Sequence, residues 1–182
     1  GGSGQVTYTN QTSYFADNGN LKVSVPGDVK LKKTGNTYST SGWLESSTID
    51  FGGSVNFNNI ITISTVPSQT GVNPITFQIA SSNSSSPASW DYIGPNGSTS
   101  TYYTATSSII YSGHNGKRYL RYKAFLNTAN DSYSPTLSEI SLTYTNSCTP
   151  PGQSYFNNLP SNSYAIDVSR AGYTTKSTTA EV

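Results

Sequence analysis

Hydrophobic and polar residues alternate with a period of two along most of this chain. The clearest case is KRYLRYKAFLN, residues 117–127. Leu120, Tyr122, Ala124 and Leu126 fall on one face, and Tyr119, Arg121 and Lys123 on the other. That is the signature of a half-buried strand. A polar loop, 127–135, leads to a second strand with Ile140, Leu142 and Tyr144 on one face. The expectation is a long antiparallel pair whose apolar face needs a second sheet to cover it.

The same reading predicts further strands. Val6 and Tyr8 share a face in QVTYT, 5–9, and residues 15–20 read as a turn around Asn18-Gly19. Strands follow at 21–25 and 29–31, and another opens at Trp43-Leu44 and ends at Ile49-Asp50-Phe51. Residues 55–66 are the most β-branched run, with Phe57, Ile61 and Ile63 expected in the core. In 75–80, Ile75, Phe77 and Ile79 share a face. A Ser-rich loop, 81–89, precedes short strands at 101–104 and 107–111, and His114-Asn115-Gly116 is a turn. Regular Gly and Pro punctuation suits a sandwich or barrel, and no stretch carries capped helical periodicity. After Pro150-Pro151-Gly152 the strands at 154–156, 163–169 and 173–182 are too few to bury a two-sheet core alone.

Composition narrows the function. Only 10% of the residues are charged, against roughly 25% in ordinary soluble domains. The polar surface is therefore Ser, Thr, Asn and Gly, as in secreted and cell-surface proteins, and an extracellular location is expected. A net charge of +1 leaves no electrostatic footprint for nucleic acid or anionic membrane. No apolar run is long enough for a transmembrane helix. The opening GGSGQ and the lack of Met are expected of a processed or trimmed chain.

Candidate chemistry is sparse, and nothing in it points to an enzyme. His114 is the only histidine, which excludes a His-based metal cluster, and no acidic run has the spacing of a calcium loop. Cys148 is the only cysteine, so its disulfide, if formed, is intermolecular. Sugar binding uses exposed aromatic platforms, for which Trp43, Trp90, Tyr92, Tyr102 and Tyr103 are candidates. The leading expectation for both tryptophans is nevertheless the sandwich core, and of the adjacent tyrosines one faces out. Asn10, Asn83, Asn96 and Asn130 head N-glycosylation triplets in loops. Lys22, Lys30 or Lys32 facing a late-strand Asn would suit an isopeptide cross-link.

Two resemblances organise these pieces. The order Ser41-Gly42-Trp43-Leu44, Ile49-Asp50-Phe51-Gly52, Pro74-Ile75-Thr76-Phe77-Gln78, Trp90-Asp91-Tyr92, Arg118-Tyr119-Leu120-Arg121-Tyr122 and Ser134-Pro135-Thr136-Leu137 resembles discoidin-like, galactose-binding-like jelly-roll modules. The tail, with Tyr155-Phe156-Asn157-Asn158-Leu159-Pro160, Tyr164-Ala165-Ile166-Asp167-Val168 and Gly172-Tyr173, resembles the second half of a carboxypeptidase-regulatory-like sandwich, although Asn162-Ser163 replaces its usual Gly. The resemblances imply an all-β chain: an N-terminal extension (1–16), a jelly-roll β-sandwich (17–145), a linker (146–152) and a partial β-module (153–182). The jelly-roll family commonly holds calcium, which here would fall to Asp50, or to Asp17 with Asn18 and Asn20; no other cofactor is expected.

The missing first half of the tail module is the most informative departure. The tail is completed by the chain's own N-terminal residues, or by a strand from a neighbouring copy, or the chain is a piece of a longer protein. Completion between copies makes filaments when the contacts do not close. The stretch with Val6 and Tyr8 is the candidate donor. The leading expectation is therefore a structural subunit of an extracellular microbial filament, pilus or stalk, its partners copies of itself. The alternative is a carbohydrate-binding or adhesion module of a larger secreted protein, with surface glycans as partners.

Overall fold

The computed structural model describes residues 3–8, 14–104, 107–146, 160–168 and 175–181. They fall in two compact units, 1–148 and 149–182. The first contains β1 (Ser3–Tyr8), β2 (Tyr14–Asp17), β3 (Leu21–Lys22), β4 (Val29–Leu31), β5 (Lys33–Thr34), β6 (Thr37–Tyr38), β7 (Ser41–Ser46), β8 (Ile49–Thr65), β9 (Ile75–Ser82), β10 (Ser107–Ile109), β11 (Lys117–Asn127) and β12 (Thr136–Asn146). The second contains β13 (Ser163–Val168) and β14 (Lys176–Glu181). The fold is all-β, and no helix among the described residues is long and apolar enough to cross a membrane.

The first unit is a nearly closed antiparallel sheet in the order β2-β7-β11-β8-β12-β4-β3, with β9 on β11, β1 on β12 and β10 on β8. It forms a jelly-roll-like sandwich. β11 and β12 do not pair with each other, contrary to the expected hairpin. β11 lies between β9 on one side and β7 and the start of β8 on the other. β12 lies between β8 on one side and β1 and β4 on the other. The loop at 128–135 crosses between the layers, held by Thr128 N–H on the Thr40 carbonyl and Ala129 N–H on that of Thr70. Leu120, Tyr122 and Leu126 of β11 then meet Ile140 and Leu142 of β12 in one core, and each strand is the cover the other needed.

β8 explains two further departures. The expected single strand from Trp43 to Phe51 breaks at Ser47-Thr48, and β8 runs straight through Gly52-Gly53. Gly52 has φ +77, open to glycine at little cost, and there β8 passes from β11 to β12. Farther on, Leu142 pairs with Ile60 but Tyr144 with Phe57. The extra residue on β8 is a bulge at Asn58-Asn59, and it inverts the alternation. Phe57 and Ile60 are therefore buried, whereas Ile61 is half-buried and Ile63 is 56% exposed.

β9 buries Ile75, Phe77 and Ile79 as expected, but Gln78 and Ala80 on its other face are buried too. The loop after β9 covers them. Phe77 and Ile79 bridge to Tyr103 and Ile93, and Gln78 Nε2 donates to the Thr99 and Thr101 carbonyls at 2.8 and 3.0 Å.

Residues 3–8 and 14–16, read from the sequence as part of an extension, lie in strands β1 and β2 of this sheet. β1 pairs with β12 from Ser3↔Thr145 to Tyr8↔Ile140. Val6 and Tyr8 face inward against the core, and Thr7 Oγ1 lies 2.8 Å from Ser141 Oγ.

In the second unit β13 and β14 pair antiparallel, from Ser163↔Glu181 to Val168↔Lys176. No residue of the hairpin whose burial is described is buried, and Ile166 is exposed.

Candidate functional site

The outer face of β11 gathers charged and aromatic side chains from several elements. With Leu120, Tyr122, Ala124 and Leu126 turned inward, Tyr119, Arg121, Lys123 and Phe125 point out. Register places Glu45 opposite Lys123 and Trp43 opposite Phe125, so β7 adds both to the same face. β2 adds Phe15, which sits at a bulge between Tyr14 and Ala16 and is 62% exposed. The loop after β9, anchored by the Ile93–Ile79 bridge, brings Trp90 and Tyr92 over from the other side.

These side chains interleave. The Arg121 guanidinium carbon lies 3.9 Å from the centre of the Phe15 ring and 4.8 Å from that of Trp90. Lys123 Nζ lies 3.9 Å from the Trp43 ring centre and 3.0 Å from Glu45 Oε1. Cations over aromatic faces are stabilised by the ring quadrupole, more so when shielded from water. Tyr102, half out in solvent, sets its ring edge-to-face with Phe125 at 5.3 Å.

An open groove of about 450 Å³ runs beside this ladder, lined by Phe15, Glu45, Trp90, Tyr92, Arg121 and the loop 86–89. Arg121 is only 9% exposed. Its Nε donates to Thr48 Oγ1 at 2.9 Å, but no acidic side chain pairs with it among the described residues. The Tyr92 hydroxyl is buried beside Arg121 and Glu45. Burial first, and the Glu45 carboxylate second, push its pKa up.

The structure brings Trp43, Trp90, Tyr92 and Tyr102 to this side of the molecule and removes Tyr103. Tyr103 is a core residue, its hydroxyl accepting the Tyr111 N–H at 3.0 Å, because adjacent residues point to opposite sides of the chain. Neither tryptophan is in the core. Sequence reading missed Phe15, Glu45, Arg121 and Lys123. The parity of β11 marked both cations as outward, but their partners come from strands whose neighbours only the fold defines. Phe15 carried no signal, since its exposure depends on a bulge.

The candidate calcium ligands Asp50, Asp17 and Asn18 each accept hydrogen bonds from the protein itself. Both Asp50 oxygens are held by Arg118, at 2.8 and 2.9 Å, which with the Gly52 N–H lowers the Asp50 pKa to about 2. Asp17 Oδ1 accepts the Gly19 N–H, and Asn18 Oδ1 accepts those of Asn20 and Trp43. Among the described residues no three His, Cys, Asp or Glu side chains cluster as metal ligands do. Asn83, Asn96 and Asn130 are exposed in loops. Lys22 and Lys30 both reach Asp28. Asn10 and Cys148 lie outside the described residues. His114, expected in an ordinary turn, is buried, with Nδ1 2.8 Å from Ser81 Oγ. The chain matches no protein-family model and no curated protein.

Proposed function

We propose that this chain is an extracellular structural subunit of a microbial surface filament, pilus or stalk, joined to its neighbours by strand complementation. The observation that carries the reading is the hairpin β13–β14, two strands in which no described residue is buried. An isolated two-stranded hairpin is marginal in water and gains most from added strands. β1 offers a means of exchange. Its backbone pairs with β12, and residues 9–13 separate it from β2. The same pairings form whether β1 comes from its own chain or the next, so exchange leaves the interface chemistry unchanged.

Negative-stain microscopy of the full chain beside a variant lacking residues 1–12 tests this. Filaments that vanish in the truncation support the reading with β1 as donor; filaments in both move the donor to the hairpin. Monodisperse monomers in both refute it. In a Cys148→Ser background, Val6→Cys with Leu142→Cys reports the strand's origin, since these residues face each other in register. Exchange yields covalent ladders on oxidation, and a self-contained strand yields monomers.

The groove favours a second reading, a carbohydrate-binding or adhesion module. Its aromatic walls offer ring faces to a sugar, and an adhesive subunit would combine both roles.

A further inference from the structure

Arg121 poses a physical problem that its own neighbours do not solve. A buried cation is ordinarily paired with an acid, yet none pairs with it among the described residues. Phe15 and Trp90 flank its guanidinium, and Thr48 holds only Nε. No acidic side chain among the described residues pairs with its Nη atoms, and the polar neighbour beside them is the buried Tyr92 hydroxyl. The arrangement holds the guanidinium beside an open groove and leaves its forked edge of N–H donors without an acid. Glu45 also lines the groove, but Lys123 bonds it at 3.0 Å and offsets its charge.

We propose that the groove binds a carboxylate-bearing sugar residue, a uronic acid unit of an acidic polysaccharide, with the carboxylate on the Nη edge of Arg121. The inference rests on the glycan-binding reading above and names its ligand class. A planar fork matches a carboxylate bidentately, and clamping it between rings removes most of the ordering cost of binding. Phe15, largely exposed on one wall, and Trp90 on the other give the sugar ring apolar faces. Ser86 and Ser89 also line the groove, and the Ser89 hydroxyl donates to Asp91 at 3.2 Å. A single carboxylate suits a cation that no acid pairs among the described residues, beside a neutralised Glu45–Lys123 pair.

The test is affinity electrophoresis of the full chain through gels containing polygalacturonate, alginate, fully methyl-esterified polygalacturonate or poly-glutamate. The expected result is retardation by one or both acidic polysaccharides and none by the ester. Arg121→Gln should weaken that binding about tenfold or more, the scale of charge-assisted hydrogen bonds, and Arg121→Lys, which keeps charge without the fork, nearly as much. Phe15→Ala, at a position exposed enough not to threaten folding, should weaken it severalfold, which keeps the proposal testable should the Arg121 variants fail to fold. Equal retardation by ester and acid overturns the carboxylate while leaving glycan binding intact. Poly-glutamate bound as well as the polysaccharides overturns the sugar. Binding unchanged in Phe15→Ala and Arg121→Gln overturns the site. Retardation by none of the four overturns the proposal, and a glycan array then decides whether the wider reading falls with it.

Discussion

Acid should weaken this fold through His114 before it reaches the carboxylates. His114 is 2% exposed at the end of a short 3-10 turn, Ser112–His114. Ser81 Oγ lies 2.8 Å from Nδ1, while Nε2 is buried without a partner. Burial lowers its pKa from 6.5 to about 4. Above pH 6.5 both folded and unfolded chains hold it neutral, and it contributes no pH dependence. As pH falls from 6.5 toward about 4, the unfolded chain takes a proton that the folded chain refuses, so stability drops. The gap from 6.5 to about 4 amounts to about 3 kcal/mol. Asp50, held down to about 2, loses its advantage only at lower pH. Urea unfolding across this range, followed by the fluorescence of Trp43 and Trp90, reads the first unit, since both lie there. His114→Gln costs stability at every pH but should flatten the slope between 6.5 and about 4. An equal slope in the variant, or a flat wild type, refutes the reasoning.

Other substitutions probe the fold from different sides. Ile60→Ala should cost about 2–5 kcal/mol, as buried aliphatic truncations do, and Ile63→Ala less than about 0.5 kcal/mol, by urea unfolding; the reverse order would place the bulge elsewhere. Gln78→Leu strips the Thr99 and Thr101 carbonyls of their donor and should cost about 1–3 kcal/mol, with faster amide exchange over 93–104. Unchanged exchange there would show that Gln78 does not anchor the loop. Removing residues 1–12 should lower the melting temperature of the first unit, and added peptide SGQVTY should restore it in proportion to concentration. A truncated chain as stable as the full one would mean that β1 adds little.

Much of the sandwich was legible in the sequence. Period-two alternation marked the inward faces of β9, β11 and β12 because a strand's geometry forces it on any chain that buries one side. Leu120, Tyr122 and Ile140 needed no knowledge of their partners to be assigned to a core. Low charge and short apolar runs likewise set the surface chemistry without reference to the fold. What lay beyond the sequence depends on contacts between distant residues. That β11 and β12 face each other rather than pair was decided by where the loop at 128–135 finds hydrogen-bond partners, on Thr40 and Thr70. The burial of Ile60 over Ile61 was decided by one extra residue at Asn58-Asn59, which no local propensity announces. The groove was decided last of all. Arg121 was visibly outward, but only the packing of β2, β7 and the loop after β9 around it sets Phe15 and Trp90 on either side of its charge, since those strands become its neighbours only when the sheet forms.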